Sequence, residues 1–131
     1  MPWGDKNAAV QKGNFGEEDF FDAVPLERPN AVAQCQVTVA FKASPGPSEN
    51  AIINVYGTLD DGDDPVWDVQ PLSGLSFVLS QDKNPNRITF TVSGVRQFRV
   101  GVRAERRGVV LDTADFSYRI GTPEFVEVPA E

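Results

Sequence analysis

The densest set of potential ligands in the sequence is Asp60, Asp61, Asp63 and Asp64 around Gly62, with Asp68 a few residues further on. Such a run has the chemistry to collect Ca2+, which takes about six to eight oxygen ligands, but an EF-hand loop alternates its ligands and closes on a distant Glu. This run does neither. Turn chemistry is the favoured reading, because Asp and Gly tolerate the backbone of a loop tip and their charge discourages edge pairing. The chain has no histidine and one cysteine, Cys35, so the usual zinc sites, every His-dependent triad and an intrachain disulfide are excluded. Cys35 alternates with polar neighbours and is expected to be a small buried filler rather than a nucleophile. The 19 acidic residues allow many carboxylate pairs, but nothing sets one pair across a cleft as glycosidic chemistry requires. Gly13-Asn14-Phe15-Gly16 is too short for a phosphate loop and no strand leads into it. A non-enzymatic protein without metal or cofactor is the expectation.

Two other groups of residues can bind without reacting. Trp67 and Tyr56, with Trp3, have the chemistry of a sugar-stacking platform, although core or interface packing is the favoured role for a residue as large as Trp67. Seven of the eight arginines fall between Arg87 and Arg119. Arg87, Arg99, Arg103 and Arg119 have the parity opposite the apolar rows around them, so on neighbouring strands they would share one solvent face. The net charge of −7 and pI of about 4.5 argue against nucleic acid, which the acidic half of the chain would repel. An acidic protein surface, including a second copy of this chain, fits that face better, and a simply solvated face is an equal alternative.

The elements that must position these groups follow from the hydrophobic pattern. The 131 residues suit one domain, with 40% hydrophobic and 24% charged residues. No apolar run is long enough to span a bilayer, and the first residues lack the basic start and apolar stretch of a secretory signal, so no membrane association is expected. Residues 1–30 hold isolated apolar side chains with no period and read as an extended arm. Its aromatics, Trp3, Phe15, Phe20 and Phe21, are expected to anchor on a partner. From residue 34 the period becomes two. Cys35, Val37, Val39 and Phe41 form one inward row, followed by strands over residues 51–59, 66–69, 75–79 and 87–92. Phe98, Val100 and Val102 form a further row, and Ala114, Phe116, Tyr118 and Ile120 the last. Gly101 falls on an outward row, where a missing side chain costs little packing. About seven short strands with proline- and glycine-rich connections predict an all-β fold, a single antiparallel β-sandwich of immunoglobulin-like or fibronectin-like topology. It would occupy residues 31–122, with a tail over residues 123–131.

The succession from Ile53 to Gly62 (Ile-Asn-Val-Tyr-Gly-Thr-Leu-Asp-Asp-Gly), then Trp67, Pro71 and Leu72, then Ile88 to Val95 and Phe98 to Arg103, resembles small β-sandwich structural proteins of tailed-bacteriophage virions. The resemblance covers residues 51–103. It implies a capsid decoration or cement protein that binds across neighbouring capsid subunits and stabilises the shell, located in the virion and made in the host cytoplasm. A neck or tail component is one alternative, and a carbohydrate-binding module for host attachment using Trp67 and Tyr56 is another. Implied partners are the major capsid protein or neck and tail proteins, with homo-oligomers in the assembly. On this reading, deleting residues 1–30 stops assembly but leaves the body folded.

Overall fold

The protein is described by a computed structural model over residues 3–12, 18–28, 30–41, 50–83, 85–105 and 111–122. Nine strands and no helix are found there: β1 (Val10–Lys12), β2 (Asp19–Phe20), β3 (Val24–Pro25), β4 (Val32–Phe41), β5 (Asn50–Thr58), β6 (Ser76–Ser80), β7 (Asn86–Val92), β8 (Gln97–Ala104) and β9 (Leu111–Gly121). They form two antiparallel sheets. Sheet 1 runs β1-β9-β4-β7, and sheet 2 runs β2-β8-β5-β6 with β3 also on β8. The sheets pack face to face as a β-sandwich, as the period of two requires.

The inward rows are those of the sequence pattern. Cys35, Val37 and Val39 on β4, Ile53 and Val55 on β5, and Phe98, Val100 and Val102 on β8 are at most 1% exposed. Phe90, Val92, Ala114 and Phe116 complete the layer, with Ile88, Tyr118 and Ile120 at its margin. Register is fixed because a slip of one residue would turn each of these rows to solvent. The neighbours β4–β7 and β5–β8 match the B–E and C–F neighbours of immunoglobulin domains. The last strand differs. It lies in sheet 1 beside β4, where an immunoglobulin order would set it beside the penultimate strand in the other sheet.

Two expectations are corrected. The described part of residues 1–30 is no arm reaching outward. β1 pairs β9, whereas β2 and β3 pair β8, so the segment edges both sheets of its own sandwich. Phe21, Val24 and Leu26 are each 2% exposed and belong to the same core as the body, and no packing boundary falls at residue 30. Their wide spacing reflects pieces too short for a period: Val24 lies in β3, whereas Phe21 and Leu26 come directly after β2 and β3. A turn closed by Ala31 N–H donating to Arg28 O at 3.1 Å carries the chain from sheet 2 to sheet 1. Asn30 takes φ 64° there, a conformation that Asn tolerates better than most residues. The second correction concerns residues 66–69, which form no strand. β6 pairs β5 only as far as Asn54, and Pro65 and Pro71 flank the segment, so along the rest of that β5 edge the chain makes isolated bonds and no ladder. Asp68 N donates to Gly57 O at 3.1 Å and Leu72 N to Val55 O at 2.8 Å. Residues 123–131, expected as a tail, lie outside the described residues.

Because residues 18–28 complete the core, removing residues 1–30 is expected to unfold the body rather than leave it intact. Phe21→Ala alone is expected to cost about 3–5 kcal/mol in a urea unfolding curve. A truncated chain with an unchanged transition midpoint would contradict this packing.

Candidate functional site

The site grows from the outward face of β8. Gln97, Arg99, Gly101 and Arg103 alternate with the buried row, and Asn54, Tyr56 and Thr58 face the same way on the adjacent β5. A sheet face of this kind usually meets solvent, but residues 18–20 lie across it. Gly101 makes that possible. A Cβ built there would stand 2.8 Å from Glu18 Oε1 and 2.8 Å from Phe20 Cε1. Glu18 thus reaches over the bare backbone to β5, where its carboxylate accepts from Tyr56 OH at 3.1 and 3.2 Å and from Asn54 Nδ2 at 3.1 Å. Asn54 Oδ1 in turn accepts from Ser76 Oγ at 2.7 Å, which ties in the edge strand β6. Burial first, and then the Glu18 charge, push the Tyr56 hydroxyl above its ordinary range.

Phe20 meets the Tyr56 ring edge-on at 5.7 Å, and its own face receives the Arg99 guanidinium at 3.8 Å. The Trp67 ring holds the same guanidinium at 4.9 Å, so one cation joins the N-terminal segment, β8 and the β5–β6 loop. Each contact of this kind is worth about 0.5–2 kcal/mol. Arg99 Nε is buried without a hydrogen-bond partner, and no carboxylate among the described residues pairs with the side chain.

The acidic run is organised by hydrogen bonds. Asp60 Oδ2 accepts from Val66 N at 2.9 Å, and Thr58 Oγ1 donates to Val66 O at 2.8 Å. Gln97 Nε2 donates to the carbonyls of Asp60 and Gly62 at 2.9 and 3.0 Å. Asp61 pairs with Arg96 at 2.7 Å. Among the described residues, no three carboxylates are grouped to hold an ion. Between this loop, residues 20–27 and the start of β8 lies an open cleft of about 820 Å3 bordered by Trp67, Arg96 and Arg99. A second hollow of about 730 Å3 lies between Trp3, Pro25, Tyr118 and Ile120.

The residues expected to bind a partner are dispersed. Trp3 is half-buried and bridges to Gly121 of its own chain. Phe15 lies outside the described residues. Phe20 belongs to the Arg99 cluster, and Phe21 is in the core against Phe116 at 5.2 Å, so it is unavailable to a partner. The four arginines do not share a face. Arg87 and Arg119 lie on the outside of sheet 1, opposite Thr38 and Gln34 of β4, and Arg99 and Arg103 lie on the outside of sheet 2. Equal parity placed each arginine outward, but parity does not say on which sheet. Trp67 and Tyr56 do not form one platform, since Tyr56 packs on Phe20 and Trp67 on Arg99. The linking residues Glu18, Asn54, Gln97 and Gly101 were not expected from sequence, and Gly101 was read as inconsequential. Its place on the outward row of a strand with a complete inward row was the available signal. Cys35 is buried, which pushes its thiol from 9.0 up to about 12.

Compared with known proteins, the chain matches no family model, no curated protein and no solved structure.

Two outcomes follow from this geometry. Gly101→Ala is expected to cost about 1–3 kcal/mol by overpacking. In the Phe20→Ala background the added cost should shrink, as a double-mutant cycle would measure; full additivity would mean that the two residues do not meet. The unfolded Cys35 thiol ionises from about 9.0 while the folded one keeps its proton to about 12. The linked stability is therefore whole below pH 9.0 and declines as pH rises toward 12. Tyr56 acts in the same direction, so Cys35→Ala should flatten only part of the decline in a melting series over that range.

Proposed function

We propose that this chain is a non-enzymatic structural protein of a tailed-bacteriophage virion, a capsid decoration or cement protein that docks on neighbouring subunits and stabilises the shell. The virion assignment rests on the resemblance of residues 51–103. The observation that carries docking is the β5–β6 loop, where Leu59, Val66 and Val69 are 73%, 78% and 88% exposed. Large apolar side chains this exposed, grouped on one loop, mark an interaction surface. The hydrogen bonds of Thr58, Asp60 and Gln97 already hold the loop, so little ordering entropy is lost on association. Binding the assembled shell and not its separated subunits would stabilise the assembly by mass action. With Phe21 committed to the core, this loop takes the docking role first expected of the N-terminal aromatics. The buried thiol of Cys35 and the lack of histidine support a binding role over catalysis.

Val66→Asp and Val69→Asp are expected to leave the melting temperature unchanged and to lower occupancy on particles at least about tenfold, since a buried charge without a partner is costly at an interface. Full occupancy by both variants, counted by particle mass, would refute docking through this loop. Failure of the wild-type chain to join any particle would refute the virion reading itself.

A further inference from the structure

The cleft beside Trp67 shares the β5–β6 loop through residues 61–67, but the exposed Leu59, Val66 and Val69 do not line it, and it has a chemistry of its own. Its volume of about 820 Å3 falls in the range of small-molecule sites, about 300–1,000 Å3. Trp67 is half-buried and forms one wall. Arg99 enters from the floor with its guanidinium held between two rings. Its Nε is buried without a partner, and its terminal nitrogens have no acceptor among the described residues. Asp22, Glu27 and Asp63 also line the cleft, with no ion-pair partner among the described residues, and Arg96 is already neutralised by Asp61.

This balance selects among ligand classes. An anion would find one unpaired cation against three unpaired carboxylates and would be repelled at a distance. A purely apolar ligand would leave those charges desolvated and unpaired. A sugar hydroxyl both donates and accepts, so it satisfies carboxylate acceptors and guanidinium donors together, and the C–H face of a sugar ring packs on an aromatic wall.

We propose that the cleft between residues 20–27, the loop 61–67 and the start of β8 binds a neutral oligosaccharide. A sugar ring lies against Trp67, and hydroxyls donate to Asp22 and Asp63 and accept from the Arg99 terminal nitrogens. The inference stands on the cleft alone and does not depend on the virion reading.

The test is an array of neutral hexose and N-acetylhexosamine oligosaccharides, with sialylated glycans and an acidic peptide on the same surface, followed by titration of the best neutral ligand into the full chain by tryptophan fluorescence. Trp67→Ala and Asp63→Asn are each expected to weaken that binding at least about tenfold. Asp63 is exposed, so its variant tests the site even where Trp67→Ala disturbs the fold. Val69 does not line the cleft, so Val69→Asp is expected to bind the glycan normally, which separates glycan binding from docking through Val69. Retention of acidic ligands alone, no neutral ligand held at millimolar concentration, or equal affinity in wild type and both variants would each overturn the assignment.

Discussion

Strand β8 must be covered on every side. Its inward row, Phe98, Val100 and Val102, is wholly buried between the sheets. One edge is bonded to β5, and the other to β2 and β3. Only its outward face had a choice between water and protein, and Gly101 decides it, because its bare backbone lets Glu18 and Phe20 lie flat where any Cβ would lift them. From that contact follow the Tyr56–Glu18–Asn54–Ser76 chain of hydrogen bonds and the ring that holds Arg99. The N-terminal segment is therefore part of the sandwich through both its faces, with Phe21 inward on Phe116 and Phe20 outward on Arg99.

The core was legible in the sequence because burial on one sheet face repeats every second residue, and no other pattern puts Cys35, Val37, Val39 and Phe41 in one row. The long strands were placed to within two or three residues of their ends for the same reason. What escaped was everything that a strand of two or three residues does. β1, β2 and β3 are too short to show a period, so Phe21 read as an anchor for another protein when, with Val24 and Leu26, it anchors this one. The same limit applies to faces. Parity assigns Arg87 and Arg99 alike to the outside, and only the pairing of β7 with β4 and of β8 with β5 puts them on opposite sides of the molecule. The site is mostly such cross-chain information: Glu18 meets Asn54 and Tyr56 from 36 and 38 residues away.

The β5–β6 connection is held by hydrogen bonds within the loop and to β8, and by Leu72 and Leu75 packed against the core. Asp60 and Thr58 close it on Val66, and Gln97 fixes its carbonyls from β8. Turn chemistry thus explains the acidic run, with Asp60 serving as an acceptor for the backbone and Asp61 as an ion-pair partner at the surface, where such a pair adds little stability. That leaves the loop free to carry exposed Val66 and Val69 without cost to the fold. A sandwich whose stability resides in its paired rows can vary such a loop and keep its architecture.

The environment of Arg99 is hard to explain by stability alone. A buried Nε without an acceptor costs about 1–3 kcal/mol. The two ring contacts return a similar amount, about 0.5–2 kcal/mol each. The net is close to zero, whereas a carboxylate or a backbone carbonyl at that position would satisfy the same nitrogen and add a charge-assisted bond. Aromatic clamping differs from such pairing in one respect: it fixes the guanidinium plane while leaving the terminal N–H groups uncommitted. A group so held is oriented in advance and loses little entropy when an acceptor arrives. An arginine fixed by rings at the floor of an open cleft, lined also by three carboxylates with no ion-pair partner among the described residues, is therefore arranged for a ligand that can serve as donor and acceptor at once.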